Sequence, residues 1–70
     1  MKGRLKQNAF GYWMIVHPQD DSLAWSGSRW VPIDPTGFPA GGVQVSSLPT
    51  EDEALEYAWA CGFTTVTVAM

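Results

Sequence analysis

Between residues 10 and 33 the apolar and polar positions follow the period of a strand, not that of a helix. Residues 10–17 (FGYWMIVH) are rich in aromatic and β-branched side chains and too short for an ordinary helix, so they predict a strand. Pro18-Gln19-Asp20-Asp21 is turn chemistry, because Pro presets φ and Asp side chains bond nearby amides. Ser22–Ser26 and Arg29–Ile33 flank Gly27-Ser28, a pair suited to a two-residue hairpin that sets Trp25 opposite Trp30. A four-residue turn at 18–21 would set Val16 opposite Leu23 and Met14 opposite Trp25. Tyr12, Met14, Val16, Leu23, Trp25 and Trp30 then share one face. The other face carries Trp13, Ile15, Ala24, Ser26, Arg29, Val31 and Ile33.

The pattern changes after Ile33. Residues 34–42 (DPTGFPAGG) carry two prolines and three glycines and predict a loop, followed by a short strand over 43–45. Thr50-Glu51-Asp52-Glu53 forms a capping box, with Thr50 as N-cap and Glu53 reaching back. The helix should run over 51–61 and stop at Gly62, with Ala54, Leu55, Ala58, Trp59 and Cys61 on its apolar stripe. Residues 63–70 (FTTVTVAM) alternate and predict a last strand. The expected fold is α+β: an antiparallel β-meander of four or five strands, order β-β-β-(β)-α-β, with one amphipathic helix packed on one face. Residues 1–8 (MKGRLKQN) form a flexible basic arm in this reading, and residues 9–70 a single domain without internal repeats. The segment from Leu48 to Val68 resembles the helix–strand units of many unrelated small α+β domains.

Length and composition narrow the function classes. A 70-residue chain buries only about 60% of its unfolded surface and needs a dense core, a staple or a partner. Cys61 is the only cysteine and His17 the only histidine, so neither an internal disulfide nor a structural zinc site is expected. No metal or cofactor is expected. The 46% hydrophobic content and four tryptophans leave room for a core and for association alike.

The net charge is −3, unevenly spread. Lys2, Arg4 and Lys6 make the start basic, whereas from residue 7 onward seven acids face Arg29 alone, 1 − 7 = −6. An acidic body disfavours nucleic acid and suits a basic protein surface. The longest apolar run, Ala9 to Val16, is too short to span a membrane, and a free thiol fits the reducing cytoplasm.

The residues that could carry chemistry have structural explanations. Glu51, Asp52 and Glu53 complement a helix N-terminus, and Glu53 and Glu56 should face solvent. His17, Ser22 and Asp20 or Asp21 could form a triad on paper, but no nucleophile elbow or oxyanion hole accompanies them. Cys61 sits at the end of the helix, where the dipole does not lower a thiol pKa. The Gly-rich stretches match no phosphate loop. The expectation is therefore a non-enzymatic protein-binding module.

The helix covers one face, so the leftover face should bind. That face centres on Trp13 with Ile15 and Arg29, rimmed by Asp20 and Asp21. The competing place for Trp13 is the core, beneath the 34–42 loop. In size and composition alone the chain is similar to phage-encoded inhibitors of host machinery, including anti-CRISPR proteins. The alternative is a structural or accessory subunit acting as a homodimer or within a larger complex. Nucleic-acid contact through the basic arm and exposed indoles ranks last.

Overall fold

The computed structural model describes residues 1–39 and 44–68. Along the chain lie β1 (Lys2–Gln7), β2 (Trp13–His17), β3 (Asp20–Trp25), β4 (Trp30–Pro32), β5 (Ser47–Leu48), α1 (Glu51–Ala60) and β6 (Thr65–Val68). They form one six-stranded sheet of order β4-β3-β2-β1-β6, with β5 paired to β2. β1 to β4 are successive antiparallel neighbours, and β6 lies parallel to β1. The fold is the expected α+β meander with one helix, enlarged by a first strand.

That first strand corrects the flexible arm. Residues 2–7 lie between β2 and β6, inside the sheet. Lys2, Arg4 and Lys6 alternate with Gly3 and Leu5, so the strand turns its cations to one face and two small or apolar residues to the other. Leu5 opposes Ile15, and both are fully buried. Gly3 allows a close approach: a Cβ there would lie 2.8 Å from Ile15 Cγ2 and 3.0 Å from the Phe63 ring.

The second correction concerns register. His17 pairs with Asp20 across a two-residue Pro18-Gln19 turn, and Val16 pairs with Ala24, with a bulge between them. The four-residue turn at 18–21 would have matched Met14 to Trp25. The extra residues instead sit in the bulge, which moves Trp25 to the face of Ile15. The Gly27-Ser28 hairpin is as expected: Trp25 pairs with Trp30, and the Ser26 amide donates to the Arg29 carbonyl at 2.9 Å.

The two faces are therefore filled by different sets from those expected. On the helix side, Leu5, Ile15, Trp25, Ala54, Ala58 and Phe63 form the core, flanked by half-buried Trp13, Trp30 and Tyr57. Trp25, Trp30 and Phe63 meet edge to face at 5.2, 5.3 and 5.9 Å between centroids. Such contacts add about 0.5–1.5 kcal/mol each beyond area burial. They act against the indole N–H of Trp25, which is buried without an acceptor among the described residues and costs roughly 1–3 kcal/mol. On the other side, Met14, Val16, Ala24 and Ile33 form a second cluster, with Val45 against it.

The helix begins as the capping signal requires. Thr50 is extended at φ −129°, and its hydroxyl accepts from the Glu53 amide at 3.2 Å. At the other end the Phe63 amide reaches the Ala58 carbonyl and the Gly62 amide reaches that of Trp59, a Schellman closure around Gly62 at φ +93°. The phase of the helix differs from expectation. Ala54 and Ala58 are buried, Tyr57 joins them, and Trp59 is 49% exposed. Two alanines let the helix approach the sheet closely, and the Tyr57 hydroxyl lies 2.7 Å from that of Ser46. The strand expected over 43–45 is displaced to Ser47–Leu48; Val43 lies outside the described residues, as do Ala69 and Met70 of the expected last strand.

Candidate functional site

The five residues expected to form one binding surface are dispersed. Ile15 is fully buried and Trp13 half-buried, both on the helix side and not on the face away from it. Arg29 is exposed beside the hairpin tip. Asp21 holds an ion pair with Arg4 and lies 3.9 Å from Lys6. Asp20 accepts from the hydroxyl and amide of Ser22, which together with nearby His17 hold its carboxyl below the usual range. His17 Nδ1 accepts from the Gln19 amide at 3.1 Å. Ser22 is thus bonded to Asp20 and His17 to the backbone, so no Ser-His-Asp chain of hydrogen bonds links them.

A different surface is assembled by two loops. Asn8-Ala9-Phe10-Gly11-Tyr12 joins β1 to β2, closed by the Gln7–Trp13 pair. Asp34-Pro35-Thr36-Gly37-Phe38 follows β4, closed by the bridge between Ile33 and Pro39. Both have an Asx residue first, glycine fourth and an aromatic residue fifth, and both fold in the same way. Asn8 Oδ1 accepts from the amides of Phe10 and Tyr12 at 2.9 and 3.0 Å; Asp34 Oδ1 accepts from those of Thr36 and Phe38 at 2.9 and 3.0 Å. The Gly11 amide donates to the Asn8 carbonyl, and the Gly37 amide to that of Asp34. The Asn8 amide donates to the Tyr12 carbonyl and the Asp34 amide to that of Phe38, each at 2.8 Å. Each loop is a turn followed by a residue at positive φ, +87° at Gly11 and +94° at Gly37, a conformation that excludes most side chains.

The twin loops dock on each other. The Ala9 amide donates to the Thr36 carbonyl at 3.1 Å, and the Phe10 and Phe38 rings meet edge to face at 4.9 Å. Gly37 is buried at the junction, where a Cβ would lie 2.6 Å from Asn8 Cβ and 3.0 Å from Met14 Cε. The second loop is therefore the cover of the Met14 side of the sheet. Together the two loops carry apolar rings into solvent: Phe10 is 63% exposed, Tyr12 47% and Phe38 47%. The one charge of the ten loop residues, the exposed Asp34, is bonded within its own loop. Bonds from the Thr36 hydroxyl and the Phe38 amide hold its carboxyl below the usual range.

The repeated Asx-x-x-Gly-aromatic signature is present in the sequence, but the strand expected from residue 10 absorbed its first copy. The second copy fell in a stretch read only as loop. This five-residue recurrence is below the size of a structural repeat unit and is the signal in the sequence that marks the surface.

The remaining surfaces are less specific. Glu51, Asp52, Glu53 and Glu56 line the exposed side of α1 beside Trp59. The two clefts against Lys6 hold about 180 and 260 Å³, below the roughly 300–1,000 Å³ of small-molecule sites. Among the described residues no three His, Cys, Asp or Glu side chains converge, and no helix is long and apolar enough to cross a membrane. Cys61 is half-buried next to Tyr57. The Ser46 bond draws the Tyr57 phenol pKa down, but burial and the Cys61 thiol outweigh it and leave the phenol raised. The chain matches no protein-family model, and no curated protein or solved structure is significantly similar to it.

Proposed function

We propose that this chain is a non-catalytic module that binds another protein through the aromatic tip of its twin loops. The observation that carries this is the exposure of Phe10, Tyr12 and Phe38 on two loops whose backbones are locked by their own hydrogen bonds. Single exposed apolar residues are ordinary in any protein. Two phenyl rings held against each other, on loops that have already lost their conformational freedom, are not dispersed in that way. Rigid aromatic side chains bury large area at low entropic cost, which is how anchors of interfaces work.

The acidic character of the molecule supports a partner with a basic surface around the apolar contact, because charge complementarity speeds encounter and rejects wrong partners. Arg4 and Lys6 share their charges with Asp21, which weakens the case for a phosphate track along β1. A module this small acts by occupying a surface. Steric inhibition of a larger host machine, in a reducing cytoplasm where Cys61 stays a thiol, is the mode of action we favour.

The test is affinity capture from extract of the source cell with the wild type and with Phe10→Ala/Phe38→Ala, read by quantitative mass spectrometry. A protein retained by the wild type and lost by the variant is expected. Identical capture by both would move the function away from the loops.

A further inference from the structure

The three edges of the sheet are protected unequally. β4 is three residues long and ends in Pro32. β5 is two residues long and is followed by Pro49. Both carry the devices that stop strand addition: shortness and proline. β6 carries neither. Its four residues, Thr65-Val66-Thr67-Val68, are all β-branched and uncharged, and among the described residues nothing pairs with their outer edge. The helix packs mainly over β1, β2 and β5; Val66 reaches the helix-side core from β6, and Val68 is 42% exposed.

We infer that β6 is a self-association edge, at which two copies of this chain pair antiparallel into one continuous sheet. The strand is complementary to itself. A two-fold axis normal to the sheet and midway between the two strands sets Val66 beside Val66 of the partner subunit and Thr65 beside Thr67 of the partner subunit. Thr65 and Thr67 meet threonines on one face, the two Val66 residues meet on the other with Val68 beside Thr64 of the partner subunit, and such β-branched pairs stabilise adjacent strands. The parallel register puts Lys2 beside Thr65 and Arg4 beside Thr67, so cations line the neighbouring strand. In the dimer the two β1 strands would be three strand spacings apart, roughly 14 Å. That exceeds the Debye length of about 8 Å at physiological salt, so their repulsion is screened.

The arrangement is isologous and closes on itself, so it yields a dimer and not a fibre. Because β6 is parallel to β1, the antiparallel mate would carry its aromatic loops at the opposite end of the joined sheet. The surface is separate from the aromatic tip, and this inference does not depend on the proposed docking there.

The experiment is sedimentation equilibrium over a wide concentration range, on the wild type and on Thr65→Glu/Thr67→Glu. In the monomer the new carboxylates face Lys2 and Arg4, which favours the fold. In the dimer they face each other. The wild type should rise with concentration from 7.7 kDa toward twice that mass, and the variant should stay monomeric with an unchanged circular dichroism spectrum. Hydrogen exchange on the wild type gives a readout that needs no variant: amides of β6 should gain protection as concentration rises. A wild type that stays monomeric into the millimolar range would overturn the inference. So would a dimer that survives the double substitution, one abolished by Phe10→Ala/Phe38→Ala, or protection that maps elsewhere.

Discussion

Asn8 and Asp34 hold the same position in the same loop, so the molecule contains its own control for the charge. The Asp34 carboxyl is held below its ordinary value by bonds donated from Thr36 and Phe38. A depressed folded pKa contributes order that is fully present above the unfolded value. That order is lost as pH falls through the folded one. Phe38 and Thr36 amide resonances should therefore shift below about pH 4, while those of Phe10 and Tyr12 hold. Asp34→Asn should keep the loop, because asparagine builds its twin, and should abolish the acid shift. NMR titration of both proteins checks this.

Trp59 is a second case at this scale. The 100° helix wheel placed it on the buried stripe, yet Ala54 and Ala58 are the residues that touch the sheet. Trp59→Ala should cost about 1 kcal/mol or less, whereas Phe63→Ala should cost about 3–5 kcal/mol. Urea unfolding separates the two. The wheel identified the apolar half of the helix but not which part of it was central. Size was the missing consideration, since a small residue approaches a sheet more closely than an indole.

At the scale of elements, signals confined to a few neighbouring residues were legible. Thr50 with Glu53 marks the start of the helix and Gly62 its end, and Gly27-Ser28 sets the hairpin and the Trp25–Trp30 pair. Thr50→Ala should cost about 1 kcal/mol in a denaturation midpoint. Features that depend on a distant strand were not legible. The row Lys2, Arg4, Lys6 looks like a solvated tail until β2 and β6 flank it, and only then do Gly3 and Leu5 count as an inward face.

The bulge after Val16 had the largest consequence. It shifted β2 against β3 by one residue, so that Trp13 and Ile15, not Met14 and Val16, join Trp25 and Trp30 on the helix side. The twin loops allow a paired test of their construction. Gly11→Ala meets nothing nearer than Gln7 Nε2 at 3.7 Å and should show backbone strain alone, about 1–2 kcal/mol. Gly37→Ala carries the same strain and also collides with Asn8. It should be the more destabilising of the two and should separate the Phe10 and Phe38 rings, as melting temperature and aromatic ring contacts in NMR will report.

Across the whole molecule, the proposed docking role follows from which apolar residues the fold leaves outside. The helix packs on one face of the sheet, and Gly37 of the second loop lies close to Met14 on the other. What remains is the aromatic tip of the loops, the acidic side of α1 with Trp59, and the open edge of β6. The sequence contained the reasoning for a leftover surface but not its location, because the location depended on the bulge and on β1. Phe10 and Phe38 contact each other and little of the core. Their joint removal should therefore cost only about the 0.5–1.5 kcal/mol of one edge-to-face contact, far less than removal of Ile15 or Trp25. The most direct measurement is a calorimetric titration of the purified captured protein with wild type and Phe10→Ala/Phe38→Ala, at a temperature where melting curves show both to be fully folded. Removal of two interface anchors should weaken binding by about 30-fold or more; equal affinity for the two proteins would contradict the docking role of the twin loops.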